Sequence, residues 1–179
     1  MDKISAIYAN AIYDLAISQN REEAWRDQLE TLGNVWRNTP ELVRFFMRTQ
    51  ISKSEKKAVL KDSFGASFDV MLVNMMCLLV DKDRMKSFLE IIVEYRHLYN
   101  VKHQIAEGTV YSVRPLDDSE IERLNQEFSA KKGQRVYFSN RIDPTLISGI
   151  KIQLDGKVMD GSMKSRINNL RTELVKGSR

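Results

Sequence analysis

Cysteine, proline and long apolar runs are all scarce in this sequence of 179 residues. Its single cysteine, Cys77, excludes an intramolecular disulfide framework and favours a reducing compartment. The longest nearly uninterrupted apolar run, residues 70–80, contains Asn74 and is too short to cross a bilayer. The N-terminus has an acidic residue at position 2 and lacks a cleavage site of small residues, which is untypical of a signal peptide. We therefore expect a soluble intracellular protein.

The motifs of the common enzyme classes are also missing. The sequence has no G-x-x-x-x-G-K-[ST] or G-x-G-x-x-G phosphate loop, no H-E-x-x-H, no C-x-x-C and no G-x-S-x-G. Glu94 and His97 form a Glu-x-x-His, but di-metal carboxylate chemistry needs a second copy, and the sequence has none. Cys77 has apolar neighbours, which raise the pKa of a thiol and leave it unreactive. We predict no catalytic residue, no metal site and no cofactor.

Positive charge is present in excess and is concentrated late in the chain. The sequence pI is about 9.1, and from Lys131 onward there are 11 basic and 4 acidic residues. Such a distribution favours an acidic protein partner, a nucleic acid or an anionic membrane surface. The G-x-x-G loop of KH domains and the aromatic signature of the RRM are absent, and the adjacent Tyr137 and Phe138 would face opposite sides of a strand. A basic nucleic-acid-binding adaptor remains an alternative hypothesis.

Apolar residues recur with a helical period over the first hundred residues. Asp2 can cap the first helix, Pro40 follows Thr39 as in a helix first turn, and Ser52 with Glu55 has capping-box spacing. The pattern predicts six helices joined by short loops, hence an antiparallel bundle over residues 1–104. The second, fourth, fifth and sixth helices are expected near residues 21–37, 53–64, 67–81 and 84–100.

Two of these helices carry more apolar surface than a core requires. The fifth is apolar almost all round. The first helix has two apolar stripes on opposite sides. One stripe consists of Ile4, Tyr8, Ala11, Ile12 and Leu15. The other consists of Ala6, Ala9, Tyr13, Ala16 and Ile17. We assign the second stripe to the core, which leaves the first available to a partner.

After His103 the period changes to two, which predicts strands near residues 109–113, 135–138 and 150–154. Ser119 with Glu122 has capping-box spacing and predicts a helix that ends at Gly133. Asp155-Gly156 predicts a β-hairpin, because a type I′ turn needs positive φ at both central residues. Ser162 is placed to cap a final amphipathic helix. Residues 105–179 are therefore expected to form a small α/β domain.

Four segments occur in order along nearly the whole chain: YANAIYDLA, ISKSEKKAVLKDSFG, VNMMCLLVDKDRMKSFLEIIVEYRHLYN and IDPTLISGIKIQLDGKVMDGSMKSRINNL. Together they resemble the delta subunit of F-type ATP synthase, whose mitochondrial counterpart is the oligomycin-sensitivity-conferring protein. The last segment is the most specific, because it combines a strand, an Asp-Gly hairpin and a DGS turn before a basic helix. The resemblance implies a mainly α fold, in which an N-terminal six-helix bundle is joined to a smaller α/β domain.

The resemblance also implies a function. A protein of this family is a non-catalytic stator component, present in one copy per complex at the cytoplasmic face of the bacterial cell membrane. Its bundle binds the N-terminal helix of an alpha subunit of the catalytic head, and its C-terminal domain binds the C-terminus of the peripheral-stalk b subunit. Neither nucleic acid nor direct membrane insertion is implied. The link prevents the head from turning with the central shaft, so that proton-driven rotation is coupled to ATP synthesis.

The family's groove for the alpha subunit lies between the first and fifth helices. In this sequence, the resemblance places the groove residues at Tyr8, Ala11, Ile12 and Leu15 on the first helix and at Asn74 and Leu78 on the fifth. The opposite face of the fifth helix, with Phe68, Leu72, Met75 and Leu79, is then expected to face the core.

Overall fold

A computed structural model describes residues 3–161 of the chain. The chain divides into two compact units, Met1–Tyr99 and Asn100–Arg179, and each is described here by itself. The described residues are mainly helical, with seven α-helices and a small four-stranded sheet in the C-terminal unit. The predictions that Asp2 caps the first helix and that Ser162 caps the last one lie outside the described residues.

The helices up to the unit boundary agree with the helical period of the sequence. Their bounds are α1 Lys3–Ser18, α2 Glu22–Asn38, α3 Pro40–Met47, α4 Lys53–Phe64, α5 Val70–Asp81 and α6 Phe88–Lys102, with a 3₁₀ turn at Met85–Ser87 before α6. The predicted capping box of α4 is confirmed: Ser52 Oγ accepts the Glu55 amide at 3.2 Å, and Glu55 Oε2 accepts the Ser52 amide at 3.0 Å. Pro40 lies in the first turn of α3, where its missing N–H leaves no helical bond unmade.

The core of the N-terminal unit contains aromatic and long aliphatic side chains from all six of its helices, most of them from α2, α5 and α6. Trp36 packs edge-on against Phe88, with ring centroids 5.1 Å apart, and Tyr13 packs against Tyr95 at 5.4 Å. The Tyr95 hydroxyl donates to the carbonyl of Glu22 at 3.0 Å, which satisfies this buried polar group. The two tryptophans of the chain, Trp25 and Trp36, are therefore both core residues of this unit.

In the C-terminal unit, the chain order is β1 Ile105–Ser112, α7 Asp118–Lys132, β2 Arg135–Ile142, β3 Ile150–Leu154 and β4 Lys157–Asp160. The strand order across the sheet is β2-β1-β3-β4. β1 and β2 are parallel and connected through α7, whereas β1–β3 and β3–β4 are antiparallel. α7 lies on one face of the sheet, where Phe128 packs edge-on against Phe138 at 5.1 Å. Tyr137 is exposed and Phe138 is buried, so the two face opposite sides of β2 as predicted.

The predicted start of α7 is wrong. Its N-cap is Asp117 rather than Ser119: the Asp117 carboxylate accepts the Glu120 amide at 2.8 Å, and Glu120 accepts the Asp117 amide at 3.1 Å. Arg114 adds two hydrogen bonds to the Glu120 carboxylate, at 2.6 and 2.9 Å. Ser119 instead donates to Asp117 at 2.6 Å. Helix α7 therefore begins at Asp118, immediately after this Asp117–Glu120 box.

The Asp-Gly hairpin is confirmed. Asp155 and Gly156 have φ values of 50° and 74°, the left-handed values that this two-residue turn requires. They join Leu154 to its ladder partner Lys157, so the turn sets the register of β3 and β4. The Lys132 ammonium at the end of α7 forms an ion pair with Asp155 and connects the turn to that helix.

Candidate functional site

Helices α1 and α5 lie side by side and run in opposite directions. Arg21, just after the end of α1, forms an ion pair with Asp69, the N-cap of α5. At the other end, Arg84 follows α5 and donates to the Tyr8 hydroxyl at 3.4 Å, with its guanidinium carbon 5.7 Å from the centre of the Tyr8 ring. Because Arg21, after the end of α1, contacts the start of α5, while Tyr8, nearer the start of α1, contacts a residue after the end of α5, the two helices run antiparallel.

Three of the predicted groove residues lie on the side of α1 next to α5. At about 100° per residue, Tyr8, Ala11 and Leu15 fall within about 60° of one another around the helix. Tyr8 is half-buried by its contact with Arg84, while Ala11 and Leu15 are exposed. Leu15 lies close to halfway along the chain between Tyr8 and Arg21, the two residues that contact the residues flanking α5.

The predicted groove residues of α5 are both accessible. Leu78 is 44% exposed, and Asn74 is exposed as well, so Asn74 is not a buried polar residue of the core. The opposite face is buried as expected, with Leu72, Met75 and Leu79 each at most 7% exposed. Helix α5 therefore presents a partly apolar strip to solvent and contributes the rest of its surface to the core.

The buried residues of α1 lie on a side of the helix that is rotated about its axis from the predicted core stripe. It consists of Ser5, Ala9, Ile12, Tyr13 and Ala16. Ile12, expected in the groove, is only 7% exposed, and Ile17, expected in the core, is exposed. The Ser5 hydroxyl donates to Glu90 of α6 at 2.8 Å, which brings Ser5 into the interior and turns Ile12 inward with it. Ile12 therefore lies beneath the groove residues rather than among them.

The structure also reveals apolar residues that the sequence pattern did not single out. Ile7, one turn before Ala11, is 67% exposed, and Val70 and Met71 are exposed one turn before Asn74. Their spacing of three or four residues from the predicted groove residues was a usable signal. We call the whole set the α1–α5 surface; it comprises Ile7, Tyr8, Ala11 and Leu15 of α1 with Val70, Met71, Asn74 and Leu78 of α5.

Asp69 caps the start of α5, and its contribution to the stability of the fold depends on pH. Burial opposes ionisation of this carboxyl, but the hydrogen bond from the Met71 amide at 2.9 Å and the Arg21 ion pair outweigh burial and lower its pKa. Because the pKa is lowered in the folded state, the stabilisation is complete above the ordinary value of 3.8 and is lost as pH falls through the folded-state pKa.

We expect Asp69→Ala to lower the free energy of unfolding by about 1–2 kcal/mol at pH 7, because it removes an N-cap and an ion pair. The measurement is urea unfolding followed by tryptophan fluorescence, repeated at pH 7 and pH 3. The difference from wild type should shrink at pH 3, and an undiminished difference would contradict the role assigned to the carboxylate. Arg21→Ala, which removes only the exposed partner of the ion pair, should cost less than Asp69→Ala.

Neither an exposed cysteine nor a cluster of metal-ligating side chains is found in the part of the chain that the structure describes. Cys77 is buried in α5, and burial raises the pKa of its thiol, as its apolar neighbours predicted. Residues 3–161 hold no cluster of three or more His, Cys, Asp or Glu side chains that could bind a metal ion. Among the same residues, no helix is both long enough and apolar enough to cross a membrane.

A family model, ATP synthase delta (OSCP) subunit, matches residues 4–174. The chain belongs to the ATP synthase delta (OSCP) subunit family. It is 32% identical over 171 residues to the ATP synthase subunit delta of Shouchella clausii, with 95% of this chain and 94% of that protein covered. It is also 30% identical over 173 residues to the ATP synthase subunit delta of Halalkalibacterium halodurans, with 96% and 94% covered.

The fold is shared with a solved structure as well. A chain in the cryo-EM structure of the Toxoplasma gondii mitochondrial ATP synthase hexamer superposes with a TM-score of 0.75 at 16% identity, covering 97% of this chain and 98% of that one. Proteins of the delta (OSCP) family are stator components of the peripheral stalk of F-type ATP synthase, and this chain is one of them. Family membership thereby selects this function over the nucleic-acid-binding alternative.

Proposed function

We propose that this delta (OSCP) family member links the catalytic head of ATP synthase to the peripheral stalk without catalysing a reaction itself. Helices α1–α6 form the antiparallel six-helix bundle expected over residues 1–104, and this bundle binds the head. Residues 105–179 bind the stalk. One copy per complex acts at the cytoplasmic face of the bacterial cell membrane, where it couples proton-driven rotation to ATP synthesis.

The α1–α5 surface is the observation that carries this proposal. Two antiparallel helices in contact both expose apolar side chains, a geometry suited to receive the apolar side of a third helix. Ile7, Leu15, Met71 and Leu78 supply apolar contacts. Asn74 lies in the middle of the α5 strip, where its amide can donate to and accept from a bound helix. We propose the N-terminal helix of an alpha subunit as the occupant.

The C-terminal unit supplies a second surface for the stalk. Helix α7 packs on the Phe138 side of the sheet, while Tyr137 and Arg141 point to the other side. Tyr111 and Lys151, ladder partners on β1 and β3, share that side, with the Lys151 ammonium 5.6 Å from the Tyr111 ring centre. This mixture of aromatic and basic side chains supports binding of the C-terminal part of the b subunit by residues 105–179.

Calorimetry tests the proposal directly. The full chain should bind a peptide of the alpha-subunit N-terminus at a ratio of one to one, and a soluble C-terminal fragment of the b subunit should bind the same sample without displacing it. Tryptophan fluorescence should respond to the alpha peptide only, because Trp25 and Trp36 both lie in the N-terminal unit. Mutual displacement of the two partners would contradict the two-surface arrangement. Stoichiometric binding of ATP at micromolar concentration would contradict a purely mechanical role.

A further inference from the structure

A cavity of about 460 Å³ opens in the N-terminal unit between the C-terminal end of α3, the start of α4 and the turn that follows α5. Its volume lies within the roughly 300–1,000 Å³ of ordinary small-molecule sites. Phe46, Val80 and Met85 line it with buried apolar surface, and Met47 and Ile51 extend that lining. None of the residues of the α1–α5 surface lines this cavity, so the two sites are separate.

A buried lysine gives the cavity its chemical character. Lys56 lines it and is only 9% exposed. An ammonium group has three donors, and among residues 3–161 the Lys56 ammonium makes one hydrogen bond, to the main-chain carbonyl of Arg48 at 2.7 Å. Buried charges in proteins are normally paired with an opposite charge, because transfer of an unpaired ion out of water is costly. Lys56 therefore has hydrogen-bond donors left for an anion in the cavity.

The neighbouring lysines of α4 show the contrast. Lys53 pairs with Asp83 at 2.6 Å and Lys57 pairs with Asp81 at 2.8 Å, and both are more exposed than Lys56. The bond from Lys56 to Arg48 satisfies a carbonyl left free at the end of α3, which accounts for one donor. It does not provide the negative charge that would offset burial of the ammonium.

The rim of the cavity is also positive. Lys53 and Lys86 stand there with a single acidic residue, Asp83, which Lys53 already neutralises. The polar residues Thr49 and Ser52 line the same rim. A negatively charged molecule therefore meets attractive potential on entry and the ammonium of Lys56 inside.

We propose that this cavity binds a small organic anion, a carboxylate with a short hydrocarbon body. The carboxylate accepts hydrogen bonds from Lys56, and the hydrocarbon packs on Phe46, Val80 and Met85. The apolar lining distinguishes this ligand from an inorganic anion, and the single buried ammonium matches one negative charge rather than the several of a polyphosphate. Such a site is additional to the mechanical role of the family and makes the α3–α4 region of the stator sensitive to a metabolite.

Calorimetry and amide NMR of the full chain test this with octanoate as the probe. Octanoate should bind one saturable site and shift the amide signals of residues 46–56 and 80–86. Acetate has the negative charge but lacks the hydrocarbon chain, and octanol has the hydrocarbon chain but lacks the charge. Each should bind at least tenfold more weakly than octanoate. Octanol binding as tightly as octanoate would overturn the proposal, and so would the absence of saturable octanoate binding.

Lys56→Met is the decisive variant, because it keeps most of the length of the side chain and removes the ammonium. Its octanoate affinity should fall at least tenfold, while its affinity for the alpha-subunit peptide should stay unchanged. Lys61→Met, an exposed position of the same helix outside the cavity, is the matched control and should bind octanoate like wild type. If Lys56→Met does not fold, Lys86→Glu at the exposed rim should show the tenfold loss instead. Unchanged octanoate affinity in the variant that folds would refute the assignment.

Discussion

Ala11→Asp is expected to weaken binding of the alpha-subunit N-terminal peptide by about 2–4 kcal/mol, which is roughly a 30- to 1,000-fold rise in Kd. Ala11 is exposed on the side of α1 that faces α5, so the new carboxylate lies between the two helices and would be desolvated and unpaired in the complex. The free protein keeps all its core side chains and should unfold at a wild-type urea concentration. Calorimetric titration with the peptide measures the effect.

Two variants of the same helix serve as controls. Asn10→Asp adds the same carboxylate at an exposed position about 160° around the helix from Tyr8, and it should bind the peptide like wild type. Ala9 is 0% exposed, so Ala9→Asp buries a charge in the core and should damage folding itself. Wild-type affinity in Ala11→Asp, or loss of its cooperative unfolding, would show that the wrong face of α1 is assigned to the partner.

Gly108→Ala is expected to destabilise the C-terminal unit by roughly 3 kcal/mol. Gly108 lies in β1 between its ladder partners Phe138 and Leu154. A β-carbon added there would lie 2.6 Å from Cδ1 of Phe138 and 2.8 Å from the carbonyl oxygen of Gln153. Because one obstacle is a backbone atom in the centre of the sheet, rotation of a side chain cannot relieve the overlap.

The location of the two tryptophans allows unfolding of the C-terminal unit to be distinguished from unfolding of the N-terminal unit. Trp25 and Trp36 are core residues of the N-terminal unit, so their fluorescence reports its unfolding, whereas circular dichroism reports helices and strands of both units. In Gly108→Ala, the circular dichroism signal should gain an early transition while the fluorescence midpoint stays in place. A fluorescence midpoint that shifts equally would contradict separate unfolding. Gly33→Ala, whose β-carbon meets only ends of side chains, should change stability by less than about 1 kcal/mol.

Local signals explain which parts of the fold the sequence predicts. The Ser52–Glu55 box and the Asp155-Gly156 turn depend on neighbouring residues alone, and both are present as predicted. The start of α7 could not be chosen in this way, because Asp117–Glu120 and Ser119–Glu122 have the same spacing. The structure selects the first pair, whose Glu120 is also held by Arg114.

Long-range contacts account for what the sequence pattern missed. The prediction ended β2 near Phe138, because Ser139, Asn140 and Arg141 are polar. In the structure the strand continues to Ile142, since β1 pairs with it throughout and the Asn140 amide donates to the Val110 carbonyl at 3.0 Å. On α1, periodicity identifies two apolar stripes but cannot choose between them. Contacts of Ser5 with Glu90 and of Tyr8 with Arg84 determine how the helix is rotated.

The sheet order imposes a sequence of events during synthesis of the chain. β1 is made first but lies between β2 and β3, and its residues pair with partners that leave the ribosome later, Ile105 with Arg135 and Val110 with Ile152. The helices before Tyr99 have no such dependence and can assemble while the sheet is still incomplete. Both edges of β1 stay open for pairing until the strands beside it arrive. The β3–β4 hairpin is therefore the last described part of the sheet to be added, and truncation before Ile150 leaves β1 with an unpaired edge.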